Sequence, residues 1–136
     1  MKRAYTRVHA RSGVASPLPE IETWLNQYPD YEIEIVCPEF TAVCPKTRLP
    51  DFGRLTLNYV PDKLCLELKS YKMYLLAFRE LGIFNENVVN RVLRDVVRAA
   101  RPKSASVVGE FTPRGGLATT VTAVWNAKRR APRGKR

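Results

Sequence analysis

Apolar residues recur along this chain with two different periods, and each change of period marks an element. Ile21, Trp24, Leu25 and Tyr28 fall at helical spacing between Ser16-Pro17 and Pro29, which predicts a short helix over residues 17–28. Tyr31 to Cys37 then alternates and is rich in β-branched residues, so it reads as a strand with Ile33, Ile35 and Cys37 on its buried face. Residues 44–53 interrupt the pattern. Alternation resumes over Arg54–Val60, Pro61-Asp62 turns the chain, and Leu64–Leu66 gives a brief extended piece, with Cys65 read as packing.

Two helical stretches follow. Tyr71, Tyr74, Leu75, Phe78 and Leu81 form one stripe between Ser70 and Leu81, with Gly82 placed to end the helix in the left-handed conformation. Val88, Val89, Val92, Leu93, Val96, Val97 and Ala100 recur every three or four residues from Glu86 to Ala100. Asn85 stands as N-cap there, and Pro102 stops the run. Strand character returns over Ser104–Phe111, where Gly109 marks a bulge or a close approach. A turn over Thr112–Gly116 leads to a last strand over Leu117–Trp125. The order strand, strand, helix, helix, strand, strand predicts an α+β fold: an antiparallel sheet with two helices on one face.

Charge changes the picture of the ends. The formal charge is +10, which at first suggests nucleic acid. Residues 1–19 carry four basic side chains and no acid, and residues 128–136 carry six, so 20–127 balances at 13 basic and 13 acidic. We therefore expect a single folded domain over 20–127, flanked by disordered basic arms at 1–19 and 128–136, with nucleic acid not required. No apolar run reaches the ~18 residues that span a bilayer, and the basic N-terminus lacks a secretory apolar stretch. Cys37, Cys44 and Cys65 cannot all pair and lack zinc spacing, and His9 is the sole histidine. A reducing, cytoplasmic setting without a structural metal is expected.

The interruption at 44–53 is the leading candidate for chemistry. Pro45 and Pro50 stiffen it, and it sets a thiol, Cys44, seven positions before a carboxylate, Asp51. Lys46 lies two residues on, where a cation would favour thiolate. A free cysteine is otherwise a small buried hydrophobe. The seven glycines match neither the Rossmann fingerprint nor a P-loop, so any nucleotide must be held by side chains. Lys69 and Lys72 share a face of the first helical turn, and Arg114 adjoins two glycines; a solvated surface is the alternative for the lysines. Glu67 and Glu86 each open a helix. Either carboxylate matches the adjacent N–H donors of a guanine-like base, and dipole compensation explains Glu86 equally well.

The string Glu67-Leu68-Lys69-Ser70-Tyr71-Lys72-Met73-Tyr74 resembles the signature of the NADPH-dependent nitrile reductases that convert 7-cyano-7-deazaguanine to its 7-aminomethyl form on the way to queuosine. Met73 departs from it conservatively. The Cys44–Gly53 segment resembles the same family's thioimide-forming loop, including the spacing to its acid; Gly82–Asn87 and Phe111–Gly116 are also similar to family segments. Position by position, the resemblance implies Cys44 as nucleophile and Asp51 as proton donor. It implies Leu66, Glu67 and Leu68 lining the base pocket, Asn85 and Glu86 reading its polar edge, and Lys69, Lys72 and Arg114 on NADPH. Asn85 stands where some relatives have histidine or tyrosine. The implied architecture is the tunnelling fold, in which subunit sheets close into a barrel, here as a decamer of two pentamers with shared sites. Two other readings compete: a related amidinotransferase acting on the nitrile base in tRNA, and a non-catalytic RNA-binding module.

Overall fold

Alternating burial runs further along the strands than residue types alone suggest. In a computed structural model describing residues 5–129, a short helix α1 (Arg7–Arg11) precedes strands β1 (Thr23–Leu25), β2 (Ile33–Val43), β3 (Pro50–Val60) and β4 (Leu64–Leu66). Helices α2 (Leu68–Leu76) and α3 (Asn85–Ala100) follow, then strands β5 (Ser104–Arg114) and β6 (Leu117–Asn126) and a last 3-10 turn, Ala127–Arg129. The main sheet is antiparallel throughout, in the order β2-β3-β5-β6, and β1 pairs with β4 in a second, two-stranded sheet. The α+β reading therefore holds, with the small β1–β4 sheet added.

One face of the main sheet and the apolar stripes of both helices share a single core. Leu55, Leu57, Tyr59 and Val107 from the sheet meet Tyr74, Val89, Val92 and Val96 from the helices and Phe78 from the turn after α2, each essentially excluded from water. Burying a valine or leucine side chain fully is worth roughly 1.5–3 kcal/mol, so the period-3.6 stripe of α3 is the chief reason that helix forms. Gly109 is needed because Val89 packs onto it; a Cβ there would lie 2.6 Å from the Val89 Cγ2. The opposite face, with Thr56, Asn58, Ser106, Val108, Thr122 and Val124, carries no helix and is exposed or half-buried. Strands β2 and β6 form the two edges of the sheet within this chain.

Several expectations are corrected. Residues 17–28 hold no helix; their one regular element is the strand Thr23–Leu25. Ile21 is buried, but Trp24, Leu25 and Tyr28 are exposed, and the backbone is claimed by β4 through the register Trp24↔Cys65. Bonds from the Trp24 Nε1 to the Leu66 carbonyl (3.2 Å) and from the Glu22 N–H to the Ser70 Oγ (2.8 Å) complete that pairing. Tertiary hydrogen bonding overrides the helical spacing.

Helix α2 ends at Leu76 instead of Leu81, and Gly82 is not left-handed. Residues 81–83 instead run beside the end of β2, with the Val43 N–H on the Leu81 carbonyl (3.0 Å) and the Ile83 N–H on the Val43 carbonyl (2.9 Å). Phe84, not Asn85, is the N-cap of α3. Residues 50–53 belong to β3, and 38–43 to β2, so the irregular loop shrinks to 44–49. Pro50 is tolerated as the first residue of its strand.

The N-terminal segment, expected as a disordered arm, is held from residue 5 onward. The Ser12 Oγ donates to the Gly82 carbonyl (2.5 Å), the Asn87 Nδ2 to the Ala10 carbonyl (2.8 Å), and the Arg91 and Arg94 guanidiniums to the Gly13 and Val14 carbonyls (2.7 and 3.0 Å). Arg91 is itself fixed by Asp95 at 2.9 Å. Residues 1–4 and 130–136, which include most of the expected C-terminal tail, lie outside the described residues.

Candidate active site

Strands β2 and β3 are a hairpin whose turn carries the thiol. Pairing runs to Val43↔Pro50, and the Cys44 N–H donates to the Leu49 carbonyl (2.9 Å) while the Arg48 N–H donates to the Cys44 carbonyl (2.9 Å). Arg48 closes the turn at φ +65, a left-handed conformation that few non-glycine residues adopt. Cys44 and Asp51 thus occupy the same end of the sheet.

Cys44 is half-buried. Burial pulls its pKa up and the charge of Asp51 adds to that. Hydrogen bonds from the Thr47 hydroxyl and from the Thr47 and Lys46 N–H groups outweigh both, and the net shift is below the ordinary thiol value. The Thr47 N–H lies 3.5 Å from the sulfur. Lys46 helps through its backbone only. Its ammonium is turned away, 5.9 Å over the ring of Tyr5, so the expected role of its side-chain charge is corrected.

Asp51 is fixed twice. Its carbonyl accepts from the Thr41 Oγ1 (2.8 Å), and its Oδ1 accepts from the Arg114 guanidinium (2.5 Å), which also reaches the Pro50 carbonyl (2.9 Å). Register explains the meeting. Gly53 pairs with Phe111, so the far end of β5 returns to the start of β3. Gly115 and Gly116, at φ +56 and +83, then make the two-residue turn into β6 that such φ values require.

Asn85 and Glu86 reach this end through the connector. Once 81–83 lie beside Val43, the first turn of α3 follows directly. Asn85 Oδ1 is buried with no hydrogen-bond partner among the described residues, an acceptor held ready at a cost of about 1–3 kcal/mol. Glu86 is exposed in the same turn. Tyr5 packs on Phe84 (centroids 5.9 Å apart) and on His9 (5.7 Å), so an aromatic cluster from the N-terminal segment borders this region.

Leu66 and Glu67 lie elsewhere, whereas Leu68 and Lys72 line a cavity that runs along β2 to Thr41, the residue holding the Asp51 carbonyl. The Tyr59 hydroxyl accepts from the Leu66 N–H (2.9 Å), which pins Leu66 near the end of β3 remote from Cys44. Tyr59 lies nine positions along β3 from Pro50, about 31 Å at the usual strand rise. Leu66 is buried and Leu68 exposed. Glu67 caps α2, accepting from the Ser70 N–H (2.7 Å) and the Lys69 N–H (3.0 Å), and these bonds hold its carboxyl below the usual range. Lys69 and Lys72 are exposed on the first turns of α2. Among the described residues, no hydrogen bond or ion pair joins this group to the Cys44 hairpin.

Comparison with known proteins bears on both groups. The family model described as QueF-like protein matches residues 50–130. A protein of Elusimicrobium minutum named NADPH-dependent 7-cyano-7-deazaguanine reductase is 58% identical over 125 residues, 91% of this chain and 95% of the relative. The chain belongs to the QueF-like protein family. A relative with the same name from Chloroherpeton thalassium is 59% identical over 114 residues, 82% of this chain and 98% of its own length. Among solved structures, the apo form of the archaeosine synthase QueF-Like matches with a TM-score of 0.66 and 20% identity, covering 71% of this chain and 95% of that one. At that identity, the likeness to the QueF-like synthase speaks for the fold alone.

Three features of this QueF-like chain were not read from sequence: the Arg114–Asp51 pair, the Thr47 contribution at Cys44, and the packed N-terminal segment. The first needs the β3–β5 register. The second had a legible signal, since a threonine three residues after a cysteine in a tight turn is placed to hydrogen-bond back.

Proposed function

We propose that this chain reduces the nitrile of 7-cyano-7-deazaguanine to the 7-aminomethyl group with NADPH, through a covalent thioimide on Cys44, on the route to queuosine in the cytoplasm. The observation that carries the reading is one hairpin end with a half-buried thiol, shifted toward thiolate, and a fixed carboxylate. The relatives' shared name points to the reductase rather than the amidinotransferase.

The sulfur of Cys44 adds to the nitrile carbon, the C–N π pair moves to nitrogen, and Asp51 delivers the proton that nitrogen takes. The resulting C=N bond is a better hydride acceptor than the nitrile, so one hard step becomes easier ones. NADPH supplies hydride, and two are needed to reach the amine. Lys69 and Lys72 fit its phosphates: both are exposed cations on one helix face, without an ion-pair partner among the described residues. The N–H groups of Lys69 and Ser70 are already taken by Glu67, so phosphate recognition falls to the lysine side chains. Leu66, Glu67 and Leu68 line the base pocket, and Asn85 and Glu86 read its polar edge.

In this reading the two groups come from neighbouring subunits. Their separation along β3 within one chain, two open sheet edges of ten or eleven residues, and a helix-free sheet face support closure of sheets into a barrel, as a decamer of two pentamers. The deciding assay follows NADPH absorbance on adding the free nitrile base, with Cys44→Ala as control. Loss that depends on both base and thiol is expected; no loss, or loss without the base, overturns the reading.

A further inference from the structure

We infer that Arg114 is a positioning residue for Asp51, acting in the thiol-addition step that precedes any use of NADPH. The inference rests on the nitrile-reductase reading and assigns Arg114 a task other than holding the cofactor. Its guanidinium is already committed in this chain: one nitrogen donates both to the Asp51 Oδ1 and to the Pro50 carbonyl. Asp51 is largely enclosed, with 14% of its side chain exposed, whereas Arg114 is 49% exposed and reaches in from the β5–β6 turn.

The consequence for proton delivery is stereochemical. A protonated carboxyl has a single O–H. Oδ1 is taken up as acceptor by Arg114, and the main-chain carbonyl of Asp51 is held by Thr41. Oδ2 has no partner among the described residues, so it is the oxygen left to carry the proton toward the nitrile nitrogen. When the proton leaves, the remaining carboxylate already faces a cation, and no group must move to stabilise it. The step balances without an oxidant or reductant. The S–C bond forms, one C–N π bond breaks, and the Asp51 carboxylate takes the thiol proton on Oδ2 and passes it to nitrogen, ending as it began.

The experiment measures covalent adduct formation between the full-length protein and the free nitrile base with no NADPH present, by intact-protein mass against time. Arg114→Ala should form the adduct about tenfold or more slowly, with part of the rate recovered in Arg114→Lys. Alkylation of Cys44 by iodoacetamide should stay at the wild-type rate in both, because the turn holding the thiol is closed by its own backbone bonds. Adduct formation at the wild-type rate in Arg114→Ala, with only the KM for NADPH raised, overturns the inference and returns Arg114 to the cofactor. An equal fall in alkylation also overturns it, since Arg114 would then be bracing the hairpin. Absence of any adduct in the wild-type protein removes the nitrile-reductase reading itself, and this inference with it.

Discussion

The two ends of β3 are built in opposite ways. At the Cys44 end, one chain supplies the sulfur, its hydrogen-bond donors and a carboxylate clamped by Thr41 and Arg114. At the other end, Glu67 is spent on capping its own helix, and Lys69 and Lys72 face solvent. The first end holds its thiol and its carboxylate in place within one chain. The second offers a surface whose partner must arrive. On the proposed reading, a chain divided this way keeps its thiol rigid and leaves recognition to a neighbouring copy.

The largest test of the contrast removes the first end altogether. Cys44→Ala should lower turnover by about a thousandfold or more and abolish the adduct, read by NADPH absorbance and intact mass. The next test asks whether the ends act across copies. Cys44→Ala and Glu67→Gln should each be inactive, yet co-refolding them in equal amounts should restore about a quarter of the wild-type activity, because random assembly leaves that share of interfaces with both halves intact. No recovery would place both halves of the site in one chain. A smaller effect is expected at the surface end: Lys69→Ala or Lys72→Ala should raise the KM for NADPH by roughly tenfold, the worth of one charge-assisted hydrogen bond, with kcat little changed.

The smallest effect sharpens the reactive end. Hydrogen bonds to sulfur favour the thiolate, so removing the Thr47 hydroxyl should move the Cys44 pKa up toward the ordinary thiol value of about 8.5. Iodoacetamide reactivity against pH should show a midpoint at lower pH in the wild type than in Thr47→Val. At pH 7 the variant should react more slowly, and the two should converge above both midpoints.

The same contrast explains what could be read from residues alone. Period and burial coincide in α3 and in the stripe Tyr71, Tyr74, Leu75 and Phe78, because each side chain there meets the core that its spacing anticipates. Residues 17–28 misled because Trp24, Leu25 and Tyr28 are apolar without being buried, and backbone pairing with β4 decided the conformation. Cys44 and Asp51 stood out because they are close in sequence. Arg114 is 63 positions from Asp51, and only a strand register could bring them together. Asn85 looked like a cap, but the structure leaves its oxygen buried and unused.

The hold on residues 10–14, by Ser12 on the Gly82 carbonyl and by Asn87, Arg91 and Arg94 on the carbonyls of Ala10, Gly13 and Val14, has a practical side. A basic leader of this composition is what one would trim when shortening a protein for crystals or fusing it to a carrier. Here trimming to residue 15 would strip a buttress from the 81–83 connector, and so from the end of β2 that leads into Cys44. Tags and fusions should leave residues 5–14 in place.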